Sequence, residues 1–194
     1  GYKQGAHGLA EPAASPAPWP TAALAATWQQ HLAHIPWVIA RQQFNVLNSH
    51  DTPRLRTAVR DNAALHRLAA LVQFTFPGVP CVYYGDEIGM VDTPELASRA
   101  CMVWDEAAWD HDLRAFYQEL MRLRRASTVL QRGGFQILAV EEDLLAYQRE
   151  GENGRFLIIM QRRAAPRPAG PLPVAHGGIL DGTEFVEHFS GQTA

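Results

Sequence analysis

The chain has 194 residues, 47% hydrophobic and 19% charged, with 17 basic against 20 acidic residues and a formal net charge of -3. That apolar fraction excludes disorder, no 18-residue run is apolar enough for a membrane helix, and the near-balance of charge offers no footprint for nucleic acid or an anionic membrane. A closed (βα)8 barrel takes about 250 residues, so the length excludes a complete one.

Residues 9–20, LAEPAASPAPWP, read as an irregular connection. The chain opens Gly-Tyr-Lys with no signal-peptide pattern, which reads as a non-native start and a cytoplasmic location. Thr21 is expected to cap a helix running to about Ile35 and stopped by Pro36, with Leu24, Trp28 and Leu32 on one stripe. His31 and His34 lie three apart on it, but no third ligand is near, so they read as surface histidines and no metal is expected.

Phe44 to Leu47 reads as a strand entering the polar loop Asn48-Ser49-His50-Asp51. Asp61 or Asn62 then starts a helix whose face is Leu65, Leu68, Ala69 and Val72, ended by Pro77-Gly78. Val79 to Tyr84 is a near-continuous apolar run, as in a strand buried on both faces of a parallel sheet. Strand, helix and strand make one βαβ unit with a right-handed crossover. The two cysteines, Cys81 and Cys101, sit in apolar sequence and are expected as buried thiols rather than a bridge. A further helix is predicted from His111 to Arg125, with Leu113, Phe116, Tyr117, Leu120 and Leu123 inward and Arg122, Arg124 and Arg125 at the negative end of its dipole.

After residue 130 the pattern changes. FQILAV, LLAYQRE and RFLIIMQRR are β-rich, and Gly151-Glu152-Asn153-Gly154 gives the last two a hairpin turn. A strand is possible at 178–186. The expected fold class is α/β followed by all-β, with a boundary near 126–133: residues 1–130 form the α/β part and 131–194 an antiparallel β domain.

In parallel α/β architectures functional groups gather at the carboxyl ends of strands. Those ends here carry His50-Asp51 and Asp86-Glu87. The plain alternative is that Asp51 caps a turn with Thr52-Pro53 and that Asp86-Glu87 is solvated loop. A metal phosphohydrolase of the His-Asp type needs further ligands on helices, which are absent. There is no nucleophile elbow, phosphate loop or dinucleotide fingerprint, and no cofactor is expected.

FNVLNSHDTPRL at 44–55 and QFTFPGVPCVYYGDEIGM at 73–90 resemble the last two strand regions of the α-amylase family of glycoside hydrolases. They look most like the neopullulanase, cyclomaltodextrinase and maltogenic amylase branch, where Ser-His-Asp-Thr replaces the commoner Asn-His-Asp. SRACMVWDE at 98–106 and the helix LRAFYQELMRLRRAS at 113–127 are similar to later segments of that branch, so the resemblance covers about residues 40–130. It implies the last strands and helices of a (βα)8 TIM barrel followed by a C-terminal antiparallel β-sandwich, and a retaining mechanism on α-glucans.

Residue by residue, the resemblance implies that Asp51 is the carboxylate that holds sugar hydroxyls and stabilises the transition state, with His50 donating to the same sugar. Arg99 matches an arginine at the subsite for the non-reducing sugar, whose usual partner is an Asp four residues earlier; here that position is Glu95, which departs from the pattern. Asp86-Glu87 is expected to be structural, and Trp104 and Asp105 to serve packing and loop closure. The nucleophile and acid/base of this family lie on earlier strands. No Gly-x-Arg-x-Asp segment occurs, and Glu11 is the sole Glu before Asp51. The chain is therefore expected to be the C-terminal part of an α-glucan hydrolase, inactive alone, with an α-glucan oligosaccharide as substrate. Its partner would be the missing N-terminal part of the barrel or a second copy of the chain. The alternative is a non-catalytic carbohydrate-binding or scaffold module.

Overall fold

A computed structural model describes residues 19–162, 171–172 and 174–189. The predicted connection over 9–18 and Glu11 lie outside the described residues. Helix α1 (Thr21–His34) is followed by the short α2 (Trp37–Ala40), because Pro36 forces Ile35 into extended backbone. Strand β1 (Phe44–Val46) leads through α3 (Leu55–Ala58) and α4 (Ala63–Thr75) to β2 (Val79–Cys81). The two strands are parallel, with Phe44 opposite Val79, Asn45 opposite Pro80 and Val46 opposite Cys81. Asn62 caps α4 by accepting from Leu65 N at 3.0 Å. Gly78, at φ +126°, opens β2; a Cβ there would lie 2.7 Å from Gln43 O, the carbonyl that Val79 N pairs with.

Thr21 does not cap α1. It is the first helical residue after Pro20, and its hydroxyl donates instead to Glu142 O at 2.6 Å, across the molecule. Helix α4 also buries more than the expected stripe, because it is gripped from two sides. Ala70 and Phe74 pack against Leu113, Tyr117 and Leu120 of α5 (His111–Ala126). Leu68 and Val72 instead face the β-sheet that follows, and Leu71 packs against both sides. Gln73 ties the helix to both strands, donating to Asn45 O at 3.1 Å and Cys81 O at 2.8 Å.

After α5 the short α6 (Thr128–Arg132), capped by Ser127, leads into β3 (Gly134–Val140), β4 (Leu144–Gly151) and β5 (Gly154–Gln161). These form one antiparallel sheet in sequence order, with the predicted tight turn between Gly151 and Gly154 and a bulge in β3 between Ile137 and Ala139. Its inner face, Leu145, Tyr147, Ile158 and Met160, packs on Ala25, Leu24 and Trp28 of α1. Trp28, Phe76, Phe135 and Tyr147 pack in T-shaped and tilted pairs with centroids 4.9–6.4 Å apart. Arg149, with no exposed surface, donates to Thr75 O, Gly133 O, Gly134 O and Val129 O, joining the ends of α4 and α6 to β3. Burial pushes its guanidinium down to about 10.

Several expectations are corrected. The run 178–186 makes no continuous strand: a single turn at Ala175–Gly177 is followed by turns and coil, with one isolated bridge residue at Val186. Among the described residues the β part is one three-stranded antiparallel sheet. The parallel strands are not covered on both faces. Phe44, Val46, Val79 and Cys81 alternate onto one side and are all exposed, Phe44 at 71%. Both cysteines are exposed free thiols. Trp104 does not pack, being 80% exposed, whereas Asp105 does close a loop by accepting from Ala107 N at 3.1 Å. Arg124 leaves its own helix end to donate to Phe74 O and Gly78 O, capping α4 instead.

Candidate functional site at the strand ends

The loop after β1 turns tightly. Ser49 N donates to Thr52 Oγ1 at 2.8 Å, and Asp51 N donates to Ser49 Oγ at 3.2 Å. Two hydroxyls thus close the turn, so the Asp51 carboxylate is not used as its cap and is left facing solvent with 68% of the side chain exposed. His50 Nε2 lies 3.1 Å from Asp51 Oδ2, and Arg99 Nη2 lies 2.9 Å from Asp51 Oδ1. Arg99 Nε and Ser98 Oγ both donate to His50 O, at 3.0 and 3.2 Å.

Three of the four predicted residues therefore meet: His50, Asp51 and Arg99. Glu95 does not join them. It sits on an exposed turn closed by the Thr93–Ala97 bridge, in which Ala97 takes φ +47°, and Arg99 is directed at Asp51 instead. The departure from the family pattern at Glu95 thus coincides with a different partner for the arginine.

Beneath this ledge lies a buried charged layer. Asn48 Nδ2 donates to Asp86 Oδ1 at 3.1 Å, and Arg54 Nη1 lies 3.9 Å from the same oxygen. The Arg54 guanidinium, fully buried, donates to Tyr84 O at 2.7 Å and lies 5.0 and 4.8 Å from the ring centres of Tyr83 and Tyr84. Arg54 N donates to Asp92 Oδ1 at 3.0 Å. Burial pushes the Asp86 carboxyl up to about 6, against the bond from Asn48 and the charge of Arg54, which pull it down. Glu87 accepts from Gly85 N at 2.9 Å. Asp86-Glu87 is thus an internal brace rather than solvated loop. Asn48, Arg54 and Ser98 are the site's residues that the sequence reading missed. Among the described residues no group of three or more His, Cys, Asp or Glu side chains is placed to hold a metal, and no helix is long and apolar enough to cross a membrane.

Comparisons with known proteins place this geometry. The family model of the α-amylase catalytic domain matches residues 13–128. A cyclomaltodextrinase of a Bacillus species is 40% identical over 156 residues, covering 79% of this chain and 28% of that protein. The cyclic α-maltosyl-(1→6)-maltose hydrolase of Arthrobacter globiformis, solved with cyclic α-maltosyl-(1→6)-maltose, superposes with a TM-score of 0.69 at 31% identity, over 74% of this chain and 32% of that one. Ttha1563 of Thermus thermophilus superposes over 91% of this chain and 36% of its own, with a TM-score of 0.78 and 30% identity. The chain spans between a quarter and two fifths of the length of these three.

Proposed function

The chain belongs to the α-amylase family, and on that premise we propose that it is the C-terminal part of a retaining glycoside hydrolase acting on α-1,4- or α-1,6-glucans such as maltodextrin, cyclodextrin or pullulan. The observation that carries the reading is Asp51, laid open at the end of a parallel strand with His50 on one carboxylate oxygen and Arg99 on the other. An open carboxylate with fixed neighbours suits a sugar ring that gains positive charge as its glycosidic bond breaks. Asp51 accepts from the ring hydroxyls and stabilises that charge, while His50 donates to the same sugar. Arg99 orients Asp51 and offers its remaining donors to the adjoining sugar. The attacking carboxylate and the proton donor come from earlier strands of the barrel, outside this chain.

The exposed face of β1 and β2, with Phe44, Val46, Val79 and Cys81, and the free edges of both strands fit pairing with the rest of the barrel or with a second copy. Residues 1–130 act as the barrel's last part and 131–194 as the start of a C-terminal β domain of sandwich type. The test is direct. This chain alone turns over none of the three glucans and sediments as an associated species, whereas the full reading frame, supplying the missing Asp and Glu, hydrolyses at least one. Turnover by this chain alone, or an upstream sequence without those carboxylates, overturns the reading. Glucan binding without turnover by the full frame supports a carbohydrate-binding module instead.

A further inference from the structure

The loop that presents Asp51 is anchored from below by the segment running from Tyr83 to Asp92. Asn48 enters the loop and Arg54 leaves it. Both are buried, and both reach Asp86, the former through a 3.1 Å hydrogen bond and the latter at 3.9 Å. Among the described residues the Asn48 Oδ1 atom has no partner, so the side chain is held by its bond to Asp86. The contacts above the loop are different in kind: His50, Asp51 and Arg99 each expose more than half of the side chain, and exposed ion pairs fix geometry weakly.

We propose that Asp86 is a positioning residue for Asp51, holding through Asn48 the backbone that sets the Asp51 carboxylate between His50 and Arg99. This rests on the reading of Asp51 given above. An electrostatic stabiliser acts only when it is already in place as charge develops, and a displacement of about 1 Å costs on the order of 100-fold in rate. A buried carboxyl is also an expensive way to fill space, since apolar residues of similar volume often serve stability as well or better. Its presence beneath the loop is accounted for by the anchoring. The groups facing it are Asn48 and Arg54 from the loop, Glu87 beside it, and Tyr117 from α5, and the carboxyl at about 6 loses its negative charge on mild acidification.

The test uses the full reading frame for kinetics and this chain for hydrogen exchange. Asp86→Ala is expected to lower kcat about 100-fold with KM changed less than about threefold. Asp86→Asn keeps an oxygen acceptor for Asn48; it is expected to recover to within about tenfold of wild type and to lack the acid limb near pH 6 that is expected in the wild-type kcat profile. If Asp86→Ala fails to fold, Asn48→Ala breaks the same link from the loop side, with the same expected loss. By exchange, the amides of residues 49–52 open faster in these variants while those of α4 keep their protection. A kcat within twofold of wild type, or exchange that rises equally in α4, overturns the proposal. If the wild-type frame turns over no glucan, the reading of Asp51 fails, and the contrast in exchange alone decides the anchoring.

Discussion

Two aspartate–arginine pairs stand at neighbouring strand ends and have opposite surroundings. Asp51 with Arg99 is open to water, whereas Asp86 with Arg54 is sealed, its side chains 3% and 0% exposed. Chemically the pairs are alike. The open pair is weak in stability terms, because water already solvates both charges. The sealed pair exists only because hydrogen bonds and aromatic faces replace that water. The open pair thus sits above a sealed one.

The largest effect that would break this contrast is on turnover. Asp51→Asn in the full reading frame is expected to reduce kcat/KM by roughly 10³-fold, while the urea midpoint of this chain moves by less than about 0.5 kcal/mol equivalent. Next comes the sealed side. Arg54→Met leaves Asp86 buried without its cation and is expected to lower unfolding free energy by about 3–5 kcal/mol in urea titration. A loss below about 1 kcal/mol would show that the pair carries no structural charge.

The pH dependence sharpens the same comparison. The folded Asp86 carboxyl is raised to about 6 from an ordinary 3.8, so its contribution is present below pH 3.8 and is lost as pH rises through 6. The stability of wild type relative to Asp86→Asn should therefore fall by about 3 kcal/mol between pH 3.8 and 6. The variant must be the reference, because His66 acts in the other direction. Buried against Tyr117 and lowered to about 4, it destabilises the fold as pH falls from 6.5 to 4. The smallest effect belongs to the open pair: Arg99→Ala is expected to cost less than about 0.5 kcal/mol of stability and about tenfold in kcat/KM.

Much of the site was legible because its residues sit in an ordered string at a strand end. His50 and Asp51 follow an apolar run, whereas Arg99 is found only through the family resemblance. The supporting layer was not legible. Arg54 follows a proline in a loop with no periodicity, and nothing local says that two tyrosines about thirty residues away will enclose it. Asn48 reads as loop polarity until its partner is known. The short helices α2, α3 and α6 were not expected, whereas the long α1, α4 and α5 came through, since Pro36, Asn62 and Pro77-Gly78 are local start and stop signals. The two faces of α4 did not, because a single-stripe reading assumes one packing partner. Likewise the apolar run at 79–84 predicted cover on both sides, and composition does not say which segment supplies that cover.

The bond from Thr21 to Glu142 spans 121 residues, and Arg162 reaches back 141 residues to the same hydroxyl. Within this stretch, helix α1 leaves the ribosome well ahead of the sheet that gives it a resting place. At typical synthesis rates that wait is on the order of 10 s. During it the Trp28 stripe has no sheet to lie on. Ribosome-bound chains stalled before residue 140 should accordingly leave Trp28 open to collisional quenching, and chains stalled well past residue 162 should shield it.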